Sequence, residues 1–205
     1  MRLLVATTNP HKVREIRALI DGIPFEIVTL DAWRDLPAPD ETGSTFEENA
    51  RAKALYYAQA TGELTVAEDS GLEIERLNGA PGVESARLGG AGALYPRKFA
   101  LIYDALARAA APESAARFVC ALALARGRDV LFETRGTVEG RIAPEPKGDG
   151  GFGYDPIFFY PPYGCTLGEA TPAQKAAVSH RGQAFRALRA FLVSGDATSE
   201  RTLSR

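Results

Sequence analysis

The sequence predicts an α/β protein with a mixed central sheet and flanking helices. Three observations carry that expectation. The N-terminal third alternates short apolar runs with amphipathic stretches, the pattern of β-α-β units. The middle then offers two long β-forming runs, "ARFVCALALA" and "VLFETRGTVEGRIA", around a polar turn at 126–129. No internal repeat or linker divides the 205 residues, a length that supports one sizeable core. One domain is expected over 1–195, followed by a polar, frayed tail at 196–205.

Each element has a local reason. "RLLVA" is an apolar run of strand length that stops at Thr7-Thr8-Asn9-Pro10. Asn9 reads as an N-cap and Pro10 as the first helical residue. The helix over 10–20 then buries Val13, Ile16, Leu19 and Ile20 at helical spacing. "FEIVTL" (25–30) is the second strand, and a proline-containing acidic loop covers 31–44. Thr45-x-x-Glu48 is a capping-box pattern for a helix that ends at Gly62,. "LTVAEDSG" reads as a strand running into two acids and a turn, and "LEI" as a further strand before a Gly-rich loop. A helix is expected over 97–110, with Phe99, Ile102 and Leu106 on its inner side, and then the hairpin. "PIFFYP" reads as a short extended segment. Thr171-Pro172 opens a short helix, and a last helix over 180–193 buries Phe185, Leu188, Phe191 and Leu192.

Composition excludes several function classes. The chain is 45% hydrophobic and 24% charged with net charge −2, so no global basic field points to nucleic acid or a membrane surface. Cys120 and Cys165 are too few for a disulfide framework and lack metal-ligand spacing,; Cys120 reads as a buried strand thiol. The four-residue apolar run at the N-terminus is too short for a signal peptide, and no segment approaches a membrane span. A cytoplasmic setting is the expectation.

Functional candidates lie where local choices conflict with the fold. Lys12, with His11, sits in the first turn of a helix, where cations oppose the dipole,. A phosphate on that helix N-terminus, with Thr7, Thr8 and Asn9 as further donors, would explain them; an exposed surface Lys explains them equally well. Lys53 falls inside the apolar stripe Phe46, Ala50, Ala54, Tyr57, one turn after Asn49. Glu48 is on the opposite helical face, so Lys53 needs an acid from elsewhere or a cleft that receives an anion, and the cleft is the favoured reading. Glu68-Asp69-Ser70-Gly71 places two adjacent acids at an expected strand end. With Glu41 they could hold Mg²⁺, which takes one or two carboxylates plus substrate phosphates; a solvated acidic turn is the plainer alternative. A Ser70–His180–acid triad has no G-x-S-x-G elbow to support it. Ser179 caps the last helix, and His180 and Arg181, with Lys175 upstream, put positive donors at its start.

Gly148, Gly150 and Gly153 spell G-x-G-x-x-G, but Pro156 and the aromatic run after them do not open a helix, so this is not a dinucleotide-binding turn.

Taken together, "VATTNPHKVREI", "ETGSTFEENARAKA", "AEDSGLEIERLNGAPGVESAR", "GGFGYDPIFF" and "TPAQKAAVSHRGQA" resemble the inosine triphosphatase family, also called Ham1-like or dITP/XTP pyrophosphatases, in family order. The resemblance implies a Mg²⁺-dependent homodimer of two lobes around a cleft, converting ITP, dITP and XTP to monophosphate and pyrophosphate. It implies that Thr7, Thr8, Asn9, Pro10, His11 and Lys12 bind phosphates and that Lys53 points at the triphosphate. Glu41 and Asp69, with Glu68 beside them, would hold the metal, Asp69 would also take the proton of the attacking water, and Ser70 would touch substrate. Phe152, Gly153, Tyr154, Asp155, Lys175, His180 and Arg181 would form the base pocket, with the glycines letting backbone approach the purine. Thr8 stands where the family often has Gly, and Glu68 where Asp is commoner; no site is expected in "LGGAGALYPRKFALIYDAL". A non-catalytic nucleotide sensor, and a pyrophosphatase for other modified nucleotides, stay open as alternatives.

Overall fold

The computed structural model describes residues 1–90, 92–111 and 113–194. Strands β1 (Arg2–Val5), β2 (Glu26–Thr29), β3 (Leu64–Ile74), β4 (Ala115–Arg126), β5 (Asp129–Ile142), β6 (Phe158–Tyr160) and β7 (Cys165–Thr166) form one sheet in the order β2-β1-β3-β4-β5-β6-β7. β1 pairs in parallel with β2 and β3, and the remaining neighbours are antiparallel. The expected mixed sheet follows from connection length. Helices α1 (Pro10–Leu19) and α2 (Phe46–Thr61) return the chain for parallel pairing, whereas β4 and β5 meet through a tight turn,. The other helices are α3 (Tyr95–Arg108), α4 (Pro172–Val178) and α5 (His180–Val193).

One expectation fails in β3. The strand does not stop at the acids but runs through them for 11 residues. β4 pairs with it continuously from Thr65↔Ala125 to Ile74↔Ala116, so the chain stays extended through Glu68, Asp69 and Ser70 instead of turning. On the other side β1 accompanies β3 only as far as Val66, and the sheet opens beyond that point.

Alternation along β3 then divides its side chains between two faces. Leu64 and Val66 join Ile16 and Ile20 of α1 and Phe185 and Leu188 of α5. Leu72 and Ile74, on the same face, join Phe99, Ile102 and Leu106 of α3. Ala67, facing the other way, packs with Phe46, Ala50 and Ala54 of α2. The first face therefore has apolar cores at both ends, with Glu68 and Ser70 in the gap between them.

Caps set the helix starts. Asn9 accepts hydrogen bonds from the His11 and Lys12 amides, and Ser179 from that of Gly182. Thr45 accepts from the Glu48 amide, but the Glu48 carboxylate turns to Ser44 rather than back to Thr45, so the expected capping box is half formed. α3 opens at Tyr95, two residues early, because Pro96 suits a first turn,. Gly136 of β5 lets α5 approach, since a Cβ there would collide with the carbonyl of His180. The expected tail at 196–205 lies outside the described residues. Among the described residues no helix is long and apolar enough to cross a membrane.

Candidate active site

Because Glu68 and Asp69 are consecutive in a strand, they point to opposite faces of the sheet,. The repulsion that made the pair conspicuous is relieved, and each acid has its own surroundings. Asp69 faces α2. Its Oδ2 accepts a hydrogen bond from Asn49 Nδ2 at 2.9 Å, and its Oδ1 accepts from the Ser70 amide at 3.0 Å. Lys53, one turn after Asn49, pairs with Glu41 and reaches the Glu68 carbonyl at 3.3 Å. The inward Lys therefore has the acid it required, supplied by the loop before α2. Burial acts to lower its pKa, but Glu41, and then Asp69 and Glu68, outweigh burial and raise it. Burial raises the Asp69 carboxyl above the ordinary aspartate value; Asn49 and Lys53 oppose the rise and Glu41 adds to it.

The opposite face holds an ion network. Glu68 is 3% exposed and meets Lys12 Nζ at 2.9 Å and Arg181 Nη2 at 3.1 Å. Burial acts to raise its pKa, yet Arg181 and Lys12 hold it well below the usual carboxylate range. Arg181 also donates to Glu15 at 2.7 Å and to Ser70 Oγ at 3.0 Å. Lys175 donates to Glu15 at 2.9 Å and to Asp155 at 2.6 Å. The cations at two helix starts, against their dipoles, are thus held by carboxylates from β3 and α1. Glu15, which links Arg181 to Lys175, escaped the sequence reading; its helical position beside Lys12 was the available signal.

The Phe152 ring lies against the cations of this second network. His11 stacks on it with centroids 5.3 Å apart, and Lys175 Nζ stands 4.5 Å from its centre. Within the glycine loop, Gly150 and Gly151 are fitted to neighbouring protein atoms. Gly150 N–H donates to the Gly168 carbonyl at 2.9 Å. Gly151 has φ +68°, and a Cβ there would strike the Asp155 carboxylate, which also accepts from the Phe152 amide at 2.8 Å. Gly150 and Gly151 therefore answer to contacts within the protein, while Gly153 lines the cavity itself. His180 is buried against Phe118, with ring centroids 5.0 Å apart, and its Nδ1 has no hydrogen-bond partner among the described residues. Burial, with Arg181 adding, holds its pKa well below the ordinary histidine value. The expectation of a positive donor at His180 is therefore corrected to a neutral ring. Ser70 Oγ accepts from Arg181 rather than engaging His180, so the triad does not form.

Thr7, Thr8, Asn9, Lys12, Glu41, Lys53, Asp69, Ser70, Phe152, Gly153, Tyr154, Asp155, Lys175, His180 and Arg181 all line one cavity of about 290 Å³. Pro10, His11 and Glu68 of the expected set do not line it. The first two belong to the adjoining helix start and Glu68 to the network beneath. Among the described residues no three His, Cys, Asp or Glu side chains are already grouped to hold a metal. Arg87, 3.5 Å from Glu41, joins the rim and was not anticipated.

A mixed α/β sheet opened beside β1, with paired cations and carboxylates gathered where the strands part, defines an α/β protein with a charged cleft,. The Ham1 family matches residues 3–191, and the chain belongs to that family. It is 44% identical over 194 residues to the dITP/XTP pyrophosphatase of Exiguobacterium sibiricum, across 95% of this chain and 98% of that one. The structure of a HAM1 protein from Coxiella burnetii superposes with a TM-score of 0.88 at 38% identity, across 95% of this chain and 100% of that one. The Ham1 protein of Staphylococcus aureus gives 0.83 at 33% identity, across 94% and 98%.

Proposed function

We propose that this protein hydrolyses deaminated purine nucleoside triphosphates (ITP, dITP and XTP) to the monophosphate and pyrophosphate, removing them from the nucleotide pool. The observation that carries the reading is one cavity joining the Lys12 and Lys53 ammonium groups to the Asp69 carboxylate and the Phe152 ring. Full-length similarity to a protein named dITP/XTP pyrophosphatase supports the same substrate class.

Lys12 and Lys53 offset charge developing on the phosphates, and the rim of α1 at Thr7 and Thr8 supplies neutral donors. Asp69, with one oxygen fixed by Asn49, accepts the proton of a water attacking the α-phosphorus as the bond to pyrophosphate breaks. Phe152 offers a stacking face to the base. The Glu41 and Asp69 carboxylates flank Lys53 in one cavity, and two carboxylates completed by substrate phosphate oxygens are a set that suits Mg²⁺. When bound there, Mg²⁺ supplies charge stabilisation and orients the phosphates. Glu68, neutralised by Lys12 and Arg181, supports the site from beneath. A homodimer in the cytoplasm is the accompanying expectation, with sedimentation velocity as the check on the dimer.

A panel of dITP, ITP, XTP, dGTP and ATP, with Mg²⁺ and with chelator, tests the reading through pyrophosphate release. Metal-dependent release from the first three, well above the last two, is expected. Tight nucleotide binding without pyrophosphate release would move the protein to the sensor class.

A further inference from the structure

At the base end of the cleft, most polar side chains already have protein partners. Lys175 and Arg181 are held by Glu15, Asp155, Glu68 and Ser70, and the Tyr154 hydroxyl donates to the Ser85 carbonyl at 2.8 Å. The Tyr95 hydroxyl is different. Tyr95 lines the cleft and is 36% exposed, and its hydroxyl makes no hydrogen bond among the described residues. It lies 3.5 Å from where a Cβ would stand on Gly153, the residue that follows Phe152 in the chain.

The Tyr95 ring is also fixed in place. It meets Tyr154 edge-on, with centroids 5.3 Å apart and planes at 90°. Lys98 Nζ stands 4.9 Å from its centre on the same helix α3. Lys98 is only 4% exposed, yet no carboxylate pairs with it among the described residues; its ammonium donates to the Ala86 carbonyl at 2.7 Å and that of Ser85 at 3.5 Å. Ser85 and Ala86 line the cleft as well. A buried ammonium without a counter-ion is costly, and here it ties the ring to the adjoining wall.

We propose that Tyr95 contacts the purine base of the substrate through its hydroxyl, and that Lys98 is the positioning residue that aims it. The proposal rests on the function proposed above and adds a wall to the pocket from a stretch where the sequence suggested no site. A hydroxyl can donate or accept, so it pairs with either the 6-carbonyl or the adjacent ring N–H of a deaminated purine. Burial raises the Tyr95 pKa, so the hydroxyl stays neutral near pH 7. Such a contact exists equally in the bound substrate and the transition state, and so it acts on KM rather than kcat.

Steady-state kinetics with dITP on Tyr95→Phe, Lys98→Met, Lys98→Arg and the Tyr95→Phe/Lys98→Met pair test this. Tyr95→Phe keeps the ring and should raise KM about five- to tenfold with kcat within about twofold, the scale of one lost hydrogen bond. Lys98→Met should raise KM by a similar factor, Lys98→Arg should recover much of it, and Lys98→Met should add less than about twofold once the hydroxyl is gone. An unchanged KM in Tyr95→Phe overturns the contact. Multiplicative losses in the pair overturn the positioning role of Lys98. Should Lys98→Met not fold, Tyr95→Phe still decides the contact. A parent protein inert toward every purine triphosphate would instead overturn the proposed function itself.

Discussion

Glu68 and Asp69 are neighbours in sequence on opposite faces of β3, and single substitutions distinguish their proposed roles. Glu68→Gln leaves Lys12 and Arg181 with an uncompensated charge in a buried network, so unfolding free energy should fall by about 3–5 kcal/mol. Asp69→Asn removes a carboxylate that burial already disfavours and keeps an acceptor for Asn49. Stability should stay within about 1 kcal/mol, while turnover of dITP falls at least about a hundredfold. Urea titrations beside pyrophosphate assays measure both; an active, folded Asp69→Asn variant would remove Asp69 from the chemistry. Acid sensitivity follows from the same residues. His180 has a lowered folded pKa, so the unfolded chain binds its proton first and stability falls once pH drops below about 6.5. The depressed pKa values of Glu68 and Glu15 contribute stability that is full above about 4.5 and lost as pH falls toward their folded values. His180→Gln should flatten the upper part of that decline and leave the lower part, as read from unfolding midpoints between pH 7 and 4.

Among the elements, α5 is the one whose placement the site depends on most. Its first turn supplies His180 and Arg181, and it lies across β5 where Gly136 has no side chain. Gly136→Ala would force helix and sheet apart. A loss of about 1–3 kcal/mol is expected from the overpacking, with a drop in activity from the displaced Arg181; thermal unfolding and dITP turnover check it. A neutral Gly136→Ala would mean that the contact relaxes freely. Helix boundaries were readable because caps and prolines are local: Asn9, Thr45, Gly62 and Ser179 act within one turn of themselves. The extent of β3 was not, because its continuation through two acids depends on β4, some fifty residues later. The short pairing of β6 with β7 is non-local in the same way.

For the whole molecule, the mixed sheet and the charged residues of the cleft were legible, the latter because charges in wrong local settings mark places where distant partners meet. Lys53 inside an apolar stripe and Lys12 against a helix dipole both led to real acids, Glu41 and Glu68. What stayed hidden was which face each side chain takes. Once β3 is known to be continuous, alternation puts Asp69 in the cavity wall facing α2 and Glu68 in the ion network on the other face, and the acids cease to be one cluster. Arg181 and Lys175 looked like free donors for a ligand; Glu15, an ordinary acid on an amphipathic helix, binds both. Tyr95 gave no sign, since the helix was expected to start after it; Lys98, a cation at a helix start like Lys12, was a signal left unused,. The proposed reaction has this cleft direct water to the α-phosphorus of a deaminated purine triphosphate, with pyrophosphate leaving. Hydrolysis of dITP in ¹⁸O-water, followed by mass analysis of both products, measures that directly. One ¹⁸O atom in dIMP and none in pyrophosphate is the predicted result; label in pyrophosphate, or release of inorganic phosphate with dIDP, would contradict it.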